Sequence, residues 1–400
     1  MQHSQTDVFV AGGGIAGMIT ALSFAALGFE VVCADPDTPI TERTAHNADM
    51  RSTAFLQPAK SLLSEIGLWE HLAKEAAPLQ IMRIIDAGGV TPEPRIQSEF
   101  DAREISDQPF GWNFPNWLLR RECVSMIRQH QNITFKTGVS VDTVFTRTSC
   151  ALVTLSSGET IEARLLVAAD GRNSAVRKSV GINVKTLRYG QKALAFSVQH
   201  PLAHQNVSTE IHRSGGPFTL VPLPDHDGLP ASAVVWMERA PEALRLQNLP
   251  VADFEAALNE RSCAILGPLK LTSPRSLWPI ISQYADNMSA QRTALVAEAA
   301  HVVPPIGAQG LNMSLGDVRS LFDLAKAEPE NLGNTQMLRA YHRSRHAEMR
   351  TRILGIDALN RASMVAARPL RDIRAFGLSA LYGFKPVRQA LMKAGLGVKL

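Results

Sequence analysis

Cysteine is scarce and dispersed. The 400-residue chain has four, Cys33, Cys123, Cys150 and Cys263, with no Cys-x-x-Cys pair and no Cys/His cluster at metal-ligand spacing. A disulfide framework and a structural zinc site are therefore excluded as organising devices, and the pattern suits a reducing compartment. The 27 glycines and 23 prolines fall without period, which excludes collagen-like and low-complexity chains. Repeats with a period of roughly 20–50 residues, the mark of solenoids and propellers, are also missing. Met1–Asp7 holds no Lys or Arg, so the 22 uncharged residues from Val8 to Phe29 lack the positive flank of a secretory signal. Gly12-Gly13-Gly14 interrupts that run where a spanning helix needs continuity. Neither a signal peptide nor a transmembrane helix is expected. Composition completes the frame: 45% hydrophobic and 20% charged residues exclude disorder, and the length points to two or three domains.

The formal net charge of +4 conceals an asymmetry. Arg339–Leu400 holds 13 Lys/Arg against Glu348, Asp357 and Asp372, about +10, while the preceding residues hold 28 basic and 34 acidic side chains, −6. Such a tail is either a solvated helical face or a surface drawn to acidic lipid or an acidic partner.

Val8-Phe9-Val10 reads as a buried strand, followed by a glycine turn, a helix from Ile15 to about Leu27 and a second strand at Glu30–Ala34. The turn, Gly12-Gly13-Gly14-Ile15-Ala16-Gly17, is G-x-G-x-x-G. Gly12 serves the tight turn, Gly14 the approach of a pyrophosphate, and Gly17 the packing of helix on strand. The helix start offers free N–H groups and its positive dipole end to phosphate. Asp35, 23 residues after Gly12, ends the second strand where an acid takes ribose hydroxyls. These features predict a dinucleotide, without separating FAD from NAD.

Two later segments add to this. An apolar strand from Leu165 runs into Asp170-Gly171, and Ser174 caps a helix. A second strand ends at Glu298, then His301, Pro305 and Gly307 lie in a loop that opens, at Gly310-Leu311-Asn312, a helix reaching about Ala327. That helix start aims amides at whatever lies before it, a fitting partner for the electron-rich edge of a reduced flavin. His301 by itself reads as a satisfied loop histidine rather than a catalyst.

Together the three segments resemble the class A flavoprotein monooxygenases, the para-hydroxybenzoate hydroxylase superfamily. Arg51-Ser52-Thr53-Ala54-Phe55-Leu56-Gln57-Pro58-Ala59, leading to Leu63, Gly67, Leu68 and Trp69, is similar to a segment of the ubiquinone-biosynthesis hydroxylases. Tyr341–Arg345, Asp357–Arg361, Lys385–Arg388 and Leu391–Gly397 extend the resemblance to nearly the whole chain.

The resemblance implies an α/β fold: a Rossmann-like FAD-binding domain of the GR2 type (1–75, 105–181 and 283–330), interrupted by a mixed or antiparallel substrate sheet (76–104 and 182–282), with a C-terminal helical region (331–400). It implies that Gly12, Gly14, Ile15, Ala16 and Gly17 hold the FAD pyrophosphate and Asp35 its adenosine ribose. Arg51, Arg121 and Asp170 would line the flavin or its ribityl chain, Glu298 would bond that chain, and Pro305, Gly307, Gly310, Leu311 and Asn312 would face the isoalloxazine. Three positions depart from the family pattern: Ala297-Glu298 replaces Gly-Asp, Asp35 replaces the commoner Glu, and Arg121 stands where relatives carry Asn or Gln. Each acidic position keeps a carboxylate, so FAD binding is expected to persist.

The implied activity is hydroxylation of a polyprenylated phenol or quinone precursor of ubiquinone by O2, through a flavin C4a-hydroperoxide. The resemblance implies NAD(P)H as a transient co-substrate, with which the absence of a second G-x-G-x-x-G is compatible. No nucleic-acid or metal partner is expected. His212, Tyr189 and Tyr284 are named as bases only because they lie in the middle segment. Two other readings stay open: a hydroxylase of a small soluble phenol, and a non-catalytic FAD-binding subunit of a quinone-biosynthesis complex. A halogenase is disfavoured, because Trp278-Pro279-Ile280 is the nearest match to W-x-W-x-I-P.

From Ile182 to Pro279, the apolar runs Ala193–Val198, Phe218–Leu223 and Ala233–Met237, with a break at Pro224-Asp225-His226-Asp227-Gly228, read as antiparallel strands. In the tail, Ile353, Ile356, Leu359 and Met364, then Ile373, Phe376, Leu378 and Leu381, give apolar helical faces. They would pack on the body or meet a membrane or complex, which would place the protein in the cytoplasm, peripheral at the inner membrane face.

Overall fold

The computed structural model describes residues 3–89, 91, 93–213, 215–364, 382 and 384–396. Three sheets organise the described residues. The first has a parallel centre in the order Thr293–Leu295, Thr160–Ala168, His3–Ala11, Val31–Asp35 and Ile133–Thr137. Its strands are near-continuous apolar runs because both faces are covered. Val8, Phe9, Val10, Leu165, Leu166 and Val167 are fully buried. Helix Ile15–Ala26 packs on this sheet with almost every side chain inside, as its small and aliphatic composition allows.

The second sheet runs His301–Val302, Ser276–Ala285, Val184–Gln199, Leu229–Arg239, Pro217–His226, Val207–His212, Ile81–Asp86 and Ile96–Asp101. All its pairings are antiparallel except Val207–His212 with Ile81–Asp86. The break expected at Pro224–Gly228 is narrower in the structure. Strand Pro217–His226 continues through Pro224, and only Asp227 and Gly228 turn, both at positive φ, with His226 paired to Leu229. A two-residue Asp-Gly hairpin needs no more. The third sheet, Ser52–Leu56 with Gly111–Pro115 and Ala77–Leu79, joins the other two.

The faces of the second sheet differ. One carries Leu194, Phe196, Phe218, Leu220 and Trp236 against Phe254 and Leu258 of helix Val251–Arg261. The opposite face is small: Ala195, Val235 and Thr219 lie in register across three strands. Alternation of side chains leaves the centre of this face with less side-chain bulk than the first, and in that sense it is hollow.

Helix Thr335–Ser363 lies along the body with Tyr341, Met349, Ile353 and Ile356 buried. Leu359, named among the apolar helical faces of the tail, is 60% exposed; the residue beside it that turns inward is Asn360, bonded to Gln191 Oε1 at 2.9 Å. Ile373, Phe376, Leu378 and Leu381 lie outside the described residues. Helix Lys385–Leu396 closes the chain. No described helix is long and apolar enough to cross a membrane. The four thiols are free, and burial pushes those of Cys33 and Cys123 far above the ordinary range, so neither is a thiolate at neutral pH.

Candidate functional site

The glycine turn is built as its sequence demands. Gly12 sits at φ +104°, and a Cβ there would lie 2.4 Å from the Ala169 carbonyl oxygen. A Cβ on Gly17 would lie 1.9 Å from the Gly12 oxygen, so only glycine lets the helix seat this close. Gly14, by contrast, is the N-cap of helix Ile15–Ala26, and a Cβ there would meet no protein atom within 4 Å. Around it the structure leaves room for a ligand. Asp35 stands behind the turn; its Oδ2 accepts from the Gly13 amide and its Oδ1 from the Asp37 amide at 2.8 Å. A carboxylate oxygen has two lone pairs, so each retains capacity for a ribose hydroxyl.

Asp170 follows strand Thr160–Ala168. Its Oδ2 accepts from the Val176 amide at 3.1 Å, while its Oδ1 is buried without a hydrogen-bond partner. An orphaned carboxylate oxygen beside a phosphate-type turn calls for a hydroxyl donor. Asp170, Gly12 and Gly14 therefore converge on one cleft.

The other wall is formed by 297–312. Ala297 adopts φ +54°, the left-handed region that disfavours a side chain, at the position where the family has glycine. Glu298 is exposed, and its charge, after the Asp49 hydrogen bond, helps to raise the Arg51 guanidinium above its ordinary range. Arg51 also lies 5.2 Å from the Trp278 ring, which ties this wall to the second sheet. Replacing Ala297 with Gly is expected to stabilise the protein by about 0.5–1 kcal/mol, the relieved strain less the added unfolded-state freedom. Urea unfolding of the two proteins measures it; an unchanged or lower midpoint would contradict the strain.

Beneath Ala297 is a buried ionic cluster. Asp317 Oδ2 meets His301 Nε2 at 2.7 Å and the Ala297 amide at 3.3 Å, and Oδ1 accepts from Arg345 Nε at 2.9 Å. Burial would raise the Asp317 carboxyl, but His301 and Arg345 outweigh it and hold it below the usual carboxylate range. His301 is thus a satisfied core histidine. Neither Asp317 nor Arg345 is singled out by spacing, though Arg345 falls in the Tyr341–Arg345 segment of the family resemblance.

Helix Gln309–Ala327 begins the next turn, with Ala308 and Gly307 both at positive φ. Pro305 is half-buried, Gly310 is exposed with no neighbour that a Cβ would touch, and Leu311 packs against both large cores. Asn312 does not reach into the cleft. Its Oδ1 accepts from the Leu56 amide at 2.8 Å and its Nδ2 donates to Ala54 and Ala308, clamping the third sheet to the helix start. Arg121 contacts Glu122 and Trp117 of its own helix, and it is Arg120 that pairs with Asp49, at 3.2 Å.

Of the three middle-segment candidates, Tyr189 is a strut. Its hydroxyl bonds Ser282 at 2.7 Å and donates to Asp357 of the long helix at 2.8 Å, and burial pushes the phenol up to about 12. Tyr284 packs on the first core and pairs across the sheet with Lys185 and His301. His212 is different. It shares the small face with Glu210, whose Oε1 holds its Nε2 at 2.7 Å, while Nδ1 is buried without a partner. Glu210 continues the register Ala195–Val235–Thr219. Ile306, from the loop before Gly310, packs on Ala193, Met237 and Ile280 at the near end of the same face. A cavity of about 240 Å³, lined by Met50, Trp117, Leu118, Ser197, Leu223 and Ala231, opens beside it.

These elements define a dinucleotide cradle of the FAD type set against a hollow sheet face, and the residues present fit FAD: a turn that only glycine permits, open space before two helix starts, and an orphaned acid. A family model described as an FAD binding domain matches residues 5–353. The chain is 31% identical over 394 residues to the ubiquinone hydroxylase UbiL of Rhodospirillum rubrum, covering 98% of this chain and 89% of that one. It is 26% identical to the 3-demethoxyubiquinol 3-hydroxylase of Escherichia coli, over all of both chains. To the human mitochondrial ubiquinone biosynthesis monooxygenase COQ6 it is 25% identical, covering 96% and 91%. In fold it is similar to p-nitrophenol 4-monooxygenase PnpA of Pseudomonas putida, with a TM-score of 0.79, 18% identity and 99% of each chain covered. The chain belongs to the FAD-binding family of class A monooxygenases that contains the ubiquinone hydroxylases.

Proposed function

We propose that this chain is an FAD-dependent hydroxylase that adds one oxygen atom from O2 to a polyprenylated phenol or quinone precursor in ubiquinone biosynthesis, with NAD(P)H as reductant. The observation that carries it is the pairing of the cradle with the hollow face: Ile306 of the cofactor wall packs directly on Ala193 and Met237 of that face. A ring held there lies between the cofactor loop and the Glu210–His212 pair.

Gly12, Gly14 and Gly17 would hold the pyrophosphate, Asp35 the adenosine ribose, and Asp170 and Glu298 the ribityl chain. FAD, when bound, supplies the redox chemistry with O2. The protein's part is position, dryness and proton handling. The apolar part of the face, Ala193, Ala195 and Met237, would help to exclude water. With Glu210 accepting the Nε2 proton, His212 keeps Nδ1 as an unpartnered acceptor two strands, about 10 Å, from Met237. There it can take the proton of a ring hydroxyl, and Glu210 balances the imidazolium that results. The cavity at Met50 and Leu223, lined also by Arg43, Glu75, Asp225 and His226, continues the face and would give the prenyl tail a partly apolar course. The basic C-terminal region supports a site of action at an anionic membrane surface or in a biosynthetic complex there.

The purified protein is expected to be yellow, and its oxygen consumption with NAD(P)H to rise when a prenylated phenol is added. A colourless protein that FAD cannot reconstitute would sink the proposal. Replacing His212 with Asn should lower turnover roughly a hundredfold while leaving FAD content unchanged. Replacing Glu210 with Gln should displace the acidic limb of the pH–rate profile, the limb that a general base sets. Unaltered turnover and profile in both variants would remove the pair from the mechanism.

A further inference from the structure

Tyr382 and helix Lys385–Leu396 run between the edge of the second sheet and the cofactor loop. At one end the Tyr382 ring meets Phe100 edge-on, with centroids 5.6 Å apart. Phe100 is two residues from Ser98, so it emerges on the side where Ser98 and Ile84 continue the register of Glu210. At the other end the Gly395 carbonyl accepts from Gln309 Nε2 at 3.0 Å, in the first turn of helix Gln309–Ala327. A helix of 12 residues is about 18 Å long, and the strands from Ile96–Asp101 to Leu229–Arg239 span about 19 Å, so it bridges the sheet edge to the cofactor loop.

Its attachments are polar and few. Arg388 donates to Glu104 Oε2 at 2.7 and 3.1 Å, and Gln389 Nε2 to the Glu104 carbonyl at 2.9 Å. Gln309 also accepts from Arg352 at 2.7 Å. Inward, the helix buries Met392 and Leu396. Leu391 of the helix is 48% exposed and Phe384, just before it, 61%; Lys385 and Lys393 are exposed too, and Lys385–Leu396 has no acidic residue. Large apolar side chains flanked by lysine are the outer face of a helix that lies in a bilayer interface, and the cationic charge selects an anionic one.

We propose that helix Lys385–Leu396 is the membrane-docking element and the gate of the hollow face at once. Phe384 and Leu391 enter an anionic bilayer, and the pull of docking draws the helix off Glu104 and Gln309, opening the face to a ring whose tail remains in the lipid. The inference rests on the lipid-tailed substrate of the proposed function. It explains why the same short helix carries exposed apolar side chains on one side and the two latches on the other.

The test uses the full-length, FAD-loaded protein with phosphatidylglycerol-containing and pure phosphatidylcholine vesicles, a long-tailed prenylphenol and a tail-less phenol. Wild type is expected to sediment with the anionic vesicles alone and to hydroxylate the long-tailed phenol several-fold faster in their presence. Phe384→Ser with Leu391→Ser should cut vesicle binding at least tenfold, with FAD content and the rate on the tail-less phenol unchanged. Glu104→Arg or Arg388→Glu alone should raise the vesicle-free rate, and the double charge swap should restore dependence on vesicles. Equal binding by the Ser variant, single swaps that leave the vesicle-free rate as in wild type, or capture by an acidic protein with no vesicle binding would each overturn the gate. Hydroxylation of the tail-less phenol with vesicle dependence lost overturns the gate alone; no hydroxylation of either phenol overturns the reading beneath it.

Discussion

Asp317→Ala is expected to destabilise the protein by about 3–5 kcal/mol and to shed FAD, although Asp317 is fully buried and outside the cleft. The carboxylate is the meeting point of three segments: His301 after the 297–299 turn, Arg345 of the long helix, and the Ala297 amide. Removing it leaves the buried Arg345 guanidinium, which also donates to the Met313 carbonyl at 3.1 Å, with only the partly exposed Glu348 as counter-charge. It also frees the left-handed Ala297 turn that presents Glu298. Asp317→Asn keeps the volume and should be nearly as costly, because the amide cannot balance Arg345. Because the folded carboxyl titrates below its unfolded value, its contribution is present above roughly pH 4 and is lost as pH falls through the lower folded value. Acid unfolding of the Asn variant should therefore be less steep. Urea midpoints at neutral and acid pH, with FAD absorbance on the same samples, measure both effects; a midpoint within error of wild type would contradict the cluster's role.

The second large effect separates two glycines three residues apart. Gly17→Ala places a Cβ 1.9 Å from the backbone oxygen of Gly12, so strand and helix must part, at a cost of about 1–3 kcal/mol and with loss of FAD. Gly14→Ala places its Cβ where no protein atom lies within 4 Å. The FAD-free protein should then be as stable as wild type, while FAD affinity falls at least tenfold because the methyl occupies the pyrophosphate's space. Equal FAD affinity in Gly14→Ala and wild type would contradict the placement of the cofactor.

What the sequence discloses follows from how local each feature is. Gly12 and Gly17 are legible because a tight turn and a close approach impose glycine within six residues of chain. Asp35 and Asp170 are legible because each ends a strand at a fixed distance from a turn. The long-range contacts are not. Asp317 and Arg345 lie 28 residues apart on different helices, and nothing in their spacing announces an ion pair. The Glu210–His212 pair takes its meaning from register: alternation along one strand places both on the hollow face, but only the pairing of Val207–His212 with Pro217–His226 aligns them with Val235 and Thr219. The Asn312 side chain binds the third sheet, whose presence at Ala54 and Leu56 no periodicity of residues 309–312 could disclose. Leu359 fits an apolar periodicity along the helix, yet the buried contact there is the amide pair Asn360–Gln191.

The central claim is that this cradle and this face together insert an oxygen atom from O2 into a prenylated ring. Turnover of the FAD-loaded protein with NAD(P)H, a prenylated phenol and 18O2, followed by mass spectrometry of the product, tests it most directly. The account predicts a product heavier by one 18O atom per ring, formed in proportion to NAD(P)H consumed. An unlabelled ring, with the consumed oxygen recovered as hydrogen peroxide, would contradict it.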